Sequence, residues 1–375
     1  MIYILYSADY ELYLGALSQP EAEVLIRPTE QLLATCHRLT IPLTLFADLA
    51  CFWRYRELGL DHFPQQAEAQ LVEAIRQGHD VQTHLHPHWF RTRIENRRFL
   101  FAPEHYLLGT FSPDPDERLQ LTCSWLQRAA HHLTALLTPH APGYRCLAFR
   151  AGGYGLQPEA SMILQALVAC GYRIDSSIIP GARIVTGVQQ VDFTHLPGAG
   201  HYWIDAASGL DRRAEPGSGI CEIPIAAHRF GSRERLAVRL PEALRQGWRL
   251  LTDTHPPPSR GTACNLPPES GHPAHRWKQA YWRAHAILSN DFQRLELGTD
   301  LRALLACFEG HVRACRREQP GAIFLSMNIH PKGIQPAHLD TLIRFHRRVM
   351  QEHPGRIRAI TFQQAWQILQ KPENL

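Results

Sequence analysis

Gly78-His79-Asp80-Val81-Gln82-Thr83-His84-Leu85-His86-Pro87-His88 carries the deciding pattern of this chain. It begins where an amphipathic helical pattern over 66–77 stops at a glycine, the residue that closes helices because left-handed backbone angles cost it nothing. It then passes through a short β run at 80–83 and ends in three histidines within five residues. A helix, a strand, then reactive side chains at the strand's C-terminal end make one repeat of a parallel α/β sheet, with chemistry where such sheets place it.

The repeat extends along the whole sequence. Strand-like runs at 2–7, 43–47, 146–150, 172–175, 222–225, 322–328 and 357–361 alternate with helical patterns at 28–39, 116–137, 158–169, 301–317, 336–351 and 363–369. Strands alternating with helices imply parallel βαβ units. The expectation is an α/β fold, a closed barrel of about seven parallel strands, with an open doubly wound sheet as the alternative. Residues from about 228 to 298 break the rhythm, being rich in Pro, Arg and Trp and containing Pro256-Pro257-Pro258. They read as an insertion over the barrel mouth, a lid or an interaction surface, within a single domain over 1–375.

Composition narrows the function. With 45% hydrophobic and 20% charged residues, the chain can bury a core of barrel size. The net charge is only +4 and the basic residues are spread out, so there is no massed basic face for nucleic acid. Nine cysteines without a CxxC pair read as buried free thiols in a reducing compartment. Residues 1–6 lack the positive start of a signal peptide, and no apolar run reaches the roughly 18 residues of a membrane span. The expected address is the cytoplasm. Twenty-two histidines supply metal ligands and proton shuttles, without proving either role.

Four features follow predicted strands, and a parallel barrel brings such ends to one mouth. Asp9-Tyr10-Glu11 offers two carboxylates, one for a cation and one for a proton. His84, His86 and His88 alternate along the chain, and imidazoles two residues apart on an extended backbone share one side. Arg150 opens a glycine-rich turn, Arg150-Ala151-Gly152-Gly153-Tyr154-Gly155, from which it can pair with a carboxylate and hold it ionised. Asn328-Ile329-His330-Pro331 supplies a histidine suited to protonating a leaving group. Each has a plainer reading as well: a solvated turn, a histidine-bearing loop, a structural arginine, a hydrogen-bonded core histidine.

In this order the motifs resemble those of the polysaccharide deacetylase family, the NodB-homology carbohydrate esterases. The resemblance covers about 1–225 and 320–365 and skips the insertion. It implies a distorted (β/α) barrel and metal-assisted hydrolysis of a carbon–nitrogen bond that is not a peptide, removing an N-acetyl group from an amino-sugar glycan or precursor. By that resemblance Asp9 is the base with Arg150 orienting it, and His330 the acid. Glu11, His84 and His88 hold a divalent ion, zinc first, cobalt or manganese next. Tyr154 and Asp175, the latter in Asp175-Ser176-Ser177, line the substrate, a carbohydrate. Tyr10 departs from the family, which has a second Asp there, so the third ligand falls to Glu11, Asp9 or His86. Leu85, Gly152 and Gly153 depart too, which suits a different substrate. Two other readings stand beside this one: a relative hydrolysing another C–N bond without metal, and a non-catalytic carbohydrate binder using Trp248, Trp277, Tyr281 and Trp282.

Overall fold

Ile2–Tyr10 (β1) is buried along its whole length, as a strand must be when both faces of its sheet are covered. Its pleat sorts side chains by period two. Tyr6 and Tyr10 point outward into the helix layer, where Tyr6 Oη pairs with His346 Nδ1 at 3.0 Å and Tyr10 Oη donates to Gln70 Oε1 at 2.8 Å. Ser7 and Asp9 point the other way and meet the guanidinium of Arg150.

The computed structural model describes residues 1–13, 19–96, 98–252, 273–318 and 321–370; Pro256-Pro257-Pro258 lies outside them. After β1 come α1 (Arg27–Arg38), β2 (Leu43–Asp48), α2 (Leu49–Glu57), α3 (His62–Arg76), β3 (Asp80–Leu85), α4 (Pro115–Leu137), β4 (Ala148–Ala151), α5 (Ala160–Ala169), β5 (Ile174–Asp175), β6 (Tyr202–Ile204) and β7 (Ile220–Glu222). There follow α6 (Ser232–Thr252), α7 (Pro273–Ser289), α8 (Leu301–Glu318), β8 (Ile323–Ile329), α9 (Pro336–Glu352), β9 (Ile357–Ala359) and α10 (Phe362–Leu369).

The strands form one sheet in the order β6-β7-β5-β4-β3-β2-β1-β8, with β9 pairing the start of β1. All these pairings are parallel except β6 with β7. The sheet curls until its ends meet. Beyond β7, Ser326 N donates to Pro224 O and Ala226 N to Ser326 O, both at 2.9 Å. Asn328 N donates to Leu295 O at 2.9 Å and Leu297 N to Asn328 O at 3.0 Å, sealing the same seam higher up. The result is a distorted (β/α) barrel. Its floor is α10, whose Phe362, Ala365 and Leu369 pack against Tyr3, Phe46 and Phe324.

Two local features bear on reading this sequence. At the start of α4, Asp114 accepts from Asp116 N and Glu117 N, with Pro115 in the first turn, a standard helix entry. The helix α2 has no such sequence signal: Leu49, Ala50, Cys51, Phe52, Trp53 and Tyr55 are all buried, and its polar residues, Arg54, Arg56 and Glu57, come only in the last turn, too late to mark a helical period.

The chain divides into two units, Met1–Ala227 with Arg294–Leu375, and His228–Gln293. The first is the barrel. The second is a pair of helices, α6 and α7, in which Ala243 and Ala280 are buried and Arg283 Nε donates to Gln246 Oε1 at 2.9 Å. Arg294 and Glu296, within the stretch expected to be an insertion, belong to the barrel. The cysteines among the described residues are free, and no described helix is long and apolar enough to cross a membrane.

Candidate active site

Arg150, in β4, is fully buried and spends its donors on partners from three other strands or strand ends. Nη1 donates to Asp9 Oδ1 at 2.7 Å and Asn328 Oδ1 at 2.9 Å. Nη2 reaches the hydroxyls of Ser7, Ser176 and Ser326 at 2.8–3.1 Å, and Nε reaches Ser176 O at 2.8 Å. The ring of Phe46 lies 4.3 Å from the guanidinium carbon. Burial on its own would raise the Asp9 pKa. Arg150, then His84 and His330, outweigh it and hold the carboxyl below its ordinary value.

One residue beyond β1, Glu11 lies two positions after Asp9 and continues the inward face. Tyr10, between them, is spent on the helix layer. Glu11 Oε2 lies 3.3 Å from His84 Nε2 and 2.5 Å from His86 Nε2. Its other oxygen accepts from Lys332 Nζ at 2.7 Å. Burial again opposes ionisation, and Lys332 and His86 overcome it, so the Glu11 pKa falls well below the usual range.

The histidines differ from expectation in one respect. His84 and His86 are neighbours on one side of extended chain and both face Glu11. After Pro87 the chain turns into a short 3₁₀ segment, Pro87–Arg91, and the alternation ends. His88 stacks on Tyr106, centroids 5.4 Å apart and rings 14° from parallel, and it is absent from the donors gathered on Glu11. Burial pushes its imidazole well toward the neutral form. Gly152 explains how closely the walls approach: a β-carbon there would lie 2.6 Å from the His86 ring and 2.5 Å from Leu85 O. Gly153 follows with φ of +62°, a left-handed angle that favours glycine.

His330 extends from the end of β8. Its Nε2 lies 3.4 Å from Asp9 Oδ2, and its Nδ1 lies 3.1 Å from Glu296 Oε1. Burial would favour the neutral ring, but Glu296 and Asp9 raise its pKa, which suits a proton donor. Asn328 Nδ2 donates to Asp9 Oδ2 at 3.1 Å and to Tyr154 Oη at 3.2 Å. Asp9, Glu11, His84, His86, Tyr154 and His330 line a cleft of about 150 Å³, together with Tyr106, Gln189 and Lys332.

Asp175 is a correction. It was expected to meet substrate, yet it is fully buried, accepting from Ser177 N at 2.9 Å and Ser177 Oγ at 2.8 Å. Ser177 Oγ in turn accepts from Ala151 N at 2.8 Å, so Asp175 braces the turn that follows β4 and does not line the cleft. Five residues with clear roles went unassigned in the sequence. Lys332 and Asn328 flank His330 at two-residue spacing, the one signal available for them. Glu296 lay inside the stretch read as an insertion. Tyr106 sits in a loop without pattern. Asp48, at the end of β2, accepts from His86 N at 3.2 Å and Trp89 Nε1 at 2.7 Å, holding the histidine segment in place.

The donor set fits a divalent ion. Glu11, His84 and His86 offer ligand atoms within 4.8 Å of one another, the two-imidazole, one-carboxylate chemistry that zinc accepts. His84 Nδ1 lies 2.8 Å from Arg150 O, which can only accept, so Nδ1 carries the proton and Nε2 presents its lone pair toward a carboxylate. A cation or a second proton must lie between them. Zinc affinity should therefore depend on His86 more than on His88. In chelator competition, His86→Ala is expected to weaken binding at least about tenfold and His88→Ala to leave it nearly intact; the reverse order would return the ligand role to His88.

No family model matches the chain, and no curated protein matches it. Solved structures similar to it include one described as a polysaccharide deacetylase of Mycobacterium smegmatis, with 14% identity over 100% of this chain and 92% of that one, at a TM-score of 0.45. Another is described as PuuE allantoinase, with 13% identity over 97% and 88% and a TM-score of 0.43. A third is described as a polysaccharide deacetylase of Pseudomonas aeruginosa PAO1, with 14% identity over 97% and 89% and a TM-score of 0.39. Likenesses this remote carry no argument about the chemistry, which rests on the cleft itself.

Proposed function

We propose that this chain is a hydrolase of non-peptide carbon–nitrogen bonds that removes an N-acetyl group from an amino-sugar glycan or its precursor with the help of a divalent ion. The observation that carries it is the convergence on one cleft of Asp9, His330 and the Glu11–His84–His86 donor set. When bound, the ion would polarise the carbonyl and lower the pKa of water.

The chain's own residues supply the rest. Arg150 holds Asp9 Oδ1, which leaves Oδ2 as the atom that accepts a proton from the attacking water. Asn328 fixes that oxygen's orientation. The new bond joins water oxygen to the acyl carbon, and the bond to nitrogen breaks. His330 Nε2 hands its proton to the departing amine, and Glu296 at Nδ1 keeps the ring in the required tautomer. Tyr154 lines the cleft beside these groups, and its backbone is the candidate donor to the developing oxyanion.

A second reading is favoured by Lys332. Its ammonium already gives Glu11 a cationic partner, so the Asp9–His330 acid–base pair can work on another C–N bond without an ion. Acetate release from N-acetylated amino-sugar oligomers and nucleotide-linked N-acetyl sugars decides between them, measured on chelator-stripped protein with and without Zn²⁺, Co²⁺ or Mn²⁺. Metal-restored release supports the first reading. Hydrolysis of any C–N substrate that survives chelation and His84→Ala supports the second. No release from any substrate, with no metal uptake, would overturn the first.

A further inference from the structure

The cleft leaves the second unit, His228–Gln293, without a role. That unit is unusual in two independent respects. It contains ten Lys and Arg against five Asp and Glu, whereas the remaining 309 residues carry 29 cationic and 30 anionic side chains. The modest positive charge of the whole chain is therefore concentrated here. It also presents an exposed apolar stripe. Leu236, Leu240, Leu244 and Trp248 recur every four residues along α6, one broad face of a helix, and Leu244 and Trp248 are 65% and 69% exposed. On α7, Trp277, Tyr281 and Trp282 are similarly exposed, with Tyr281 edge-on to Trp282 at 5.4 Å. Arg233, Arg249 and Lys278 are exposed on the same two helices.

We propose that this helix pair docks the protein on an anionic membrane surface, lying in the interface rather than crossing it. Branched aliphatic side chains seek an apolar medium. Trp and Tyr settle at its boundary, and Arg and Lys reach the phosphates. A sugar surface does not explain the three leucines, because stacking on sugar faces needs flat rings. Self-association through this face would bring two units of five excess positive charges together, which like-charge repulsion opposes. The proposal is independent of the reaction in the cleft.

Flotation of the full chain with mixed phosphatidylcholine–phosphatidylglycerol vesicles, against vesicles of phosphatidylcholine alone, tests it. Binding is expected to be strong only to the mixed vesicles, to weaken with salt, and to shift Trp emission to shorter wavelength. Leu244→Glu with Trp248→Glu should lower the partition at least about tenfold, and Arg249→Glu with Lys278→Glu should remove the preference for anionic lipid. Leu119→Glu, an exposed leucine on α4, should change nothing, and circular dichroism checks that each variant is folded. Absence of binding, equal binding to both vesicles, or retention of binding by the folded Leu244–Trp248 variant would overturn the proposal. So would a dimer in vesicle-free solution that dissociates on Leu244→Glu, since that would assign the face to protein contact.

Discussion

Asp9→Asn is expected to lower hydrolytic turnover by about a thousandfold, within the range by which a positioned base accelerates proton transfer. The substitution keeps the shape of the side chain and its hydrogen bond from Arg150 Nη1 at Oδ1. It removes the charge and puts an amide N–H₂ where Oδ2 now faces Asn328 Nδ2 and His330 Nε2. Two donors would then confront a third, and no atom would be left to take a proton from water. The loss should appear in turnover rather than in substrate affinity, and metal content should stay unchanged if the ion sits on Glu11, His84 and His86 and not on the neighbouring Asp9, Glu11 and His330. Acetate release and metal analysis on the same preparation separate the cases. Turnover above about a tenth of the parent would remove Asp9 from the base role; full turnover loss accompanied by metal loss would make it a ligand.

Arg150→Met should cost about 3–5 kcal/mol of stability, the usual penalty for breaking a buried ion pair from one side. The reason is what remains behind. Asp9 would be a buried carboxylate without its cation, and Ser7, Ser176, Ser326 and Asn328 would each lose a donor. Lysine should rescue little, since a single ammonium cannot span the partners that a planar five-donor fork reaches together. Urea unfolding of the two variants gives the comparison. A loss below about 1 kcal/mol would mean that the polar cluster tolerates an empty centre, contrary to the pairing described. Adding Asp9→Asn to Arg150→Met should recover part of the loss, because the charge left unpaired is then gone.

The α/β class was legible from the alternation of strands and helices because strands covered on both faces read as short apolar runs and helices as longer amphipathic patterns. The strand ends that carry Asp9, His84, Arg150 and His330 were legible for the same reason. The pleat also makes sense of Tyr10: two residues along a strand share a face, so Glu11, not Tyr10, accompanies Asp9 into the interior. What stayed hidden had no local period to announce it. The helix α2 opens with five buried apolar residues and reaches polar ones only in its last turn, and the choice between His86 and His88 hangs on where Pro87 turns the chain.

The composition of the cleft was decided at longer range. Ser7, Ser176, Ser326 and Asn328 are ordinary residues in sequence and become one set only because barrel closure brings the ends of three strands around a single guanidinium. Glu296 joins His330 through the seam that joins 295–297 to β8, and Asp175, for all its promise as a motif residue, turns into the wall. Sequence alone determined the class of fold and which strand ends carry reactive groups, since burial periodicity and side-chain chemistry are local properties. Only the tertiary structure decided which of those groups share a hydrogen bond, because that depends on sheet curvature and register, which no single segment encodes.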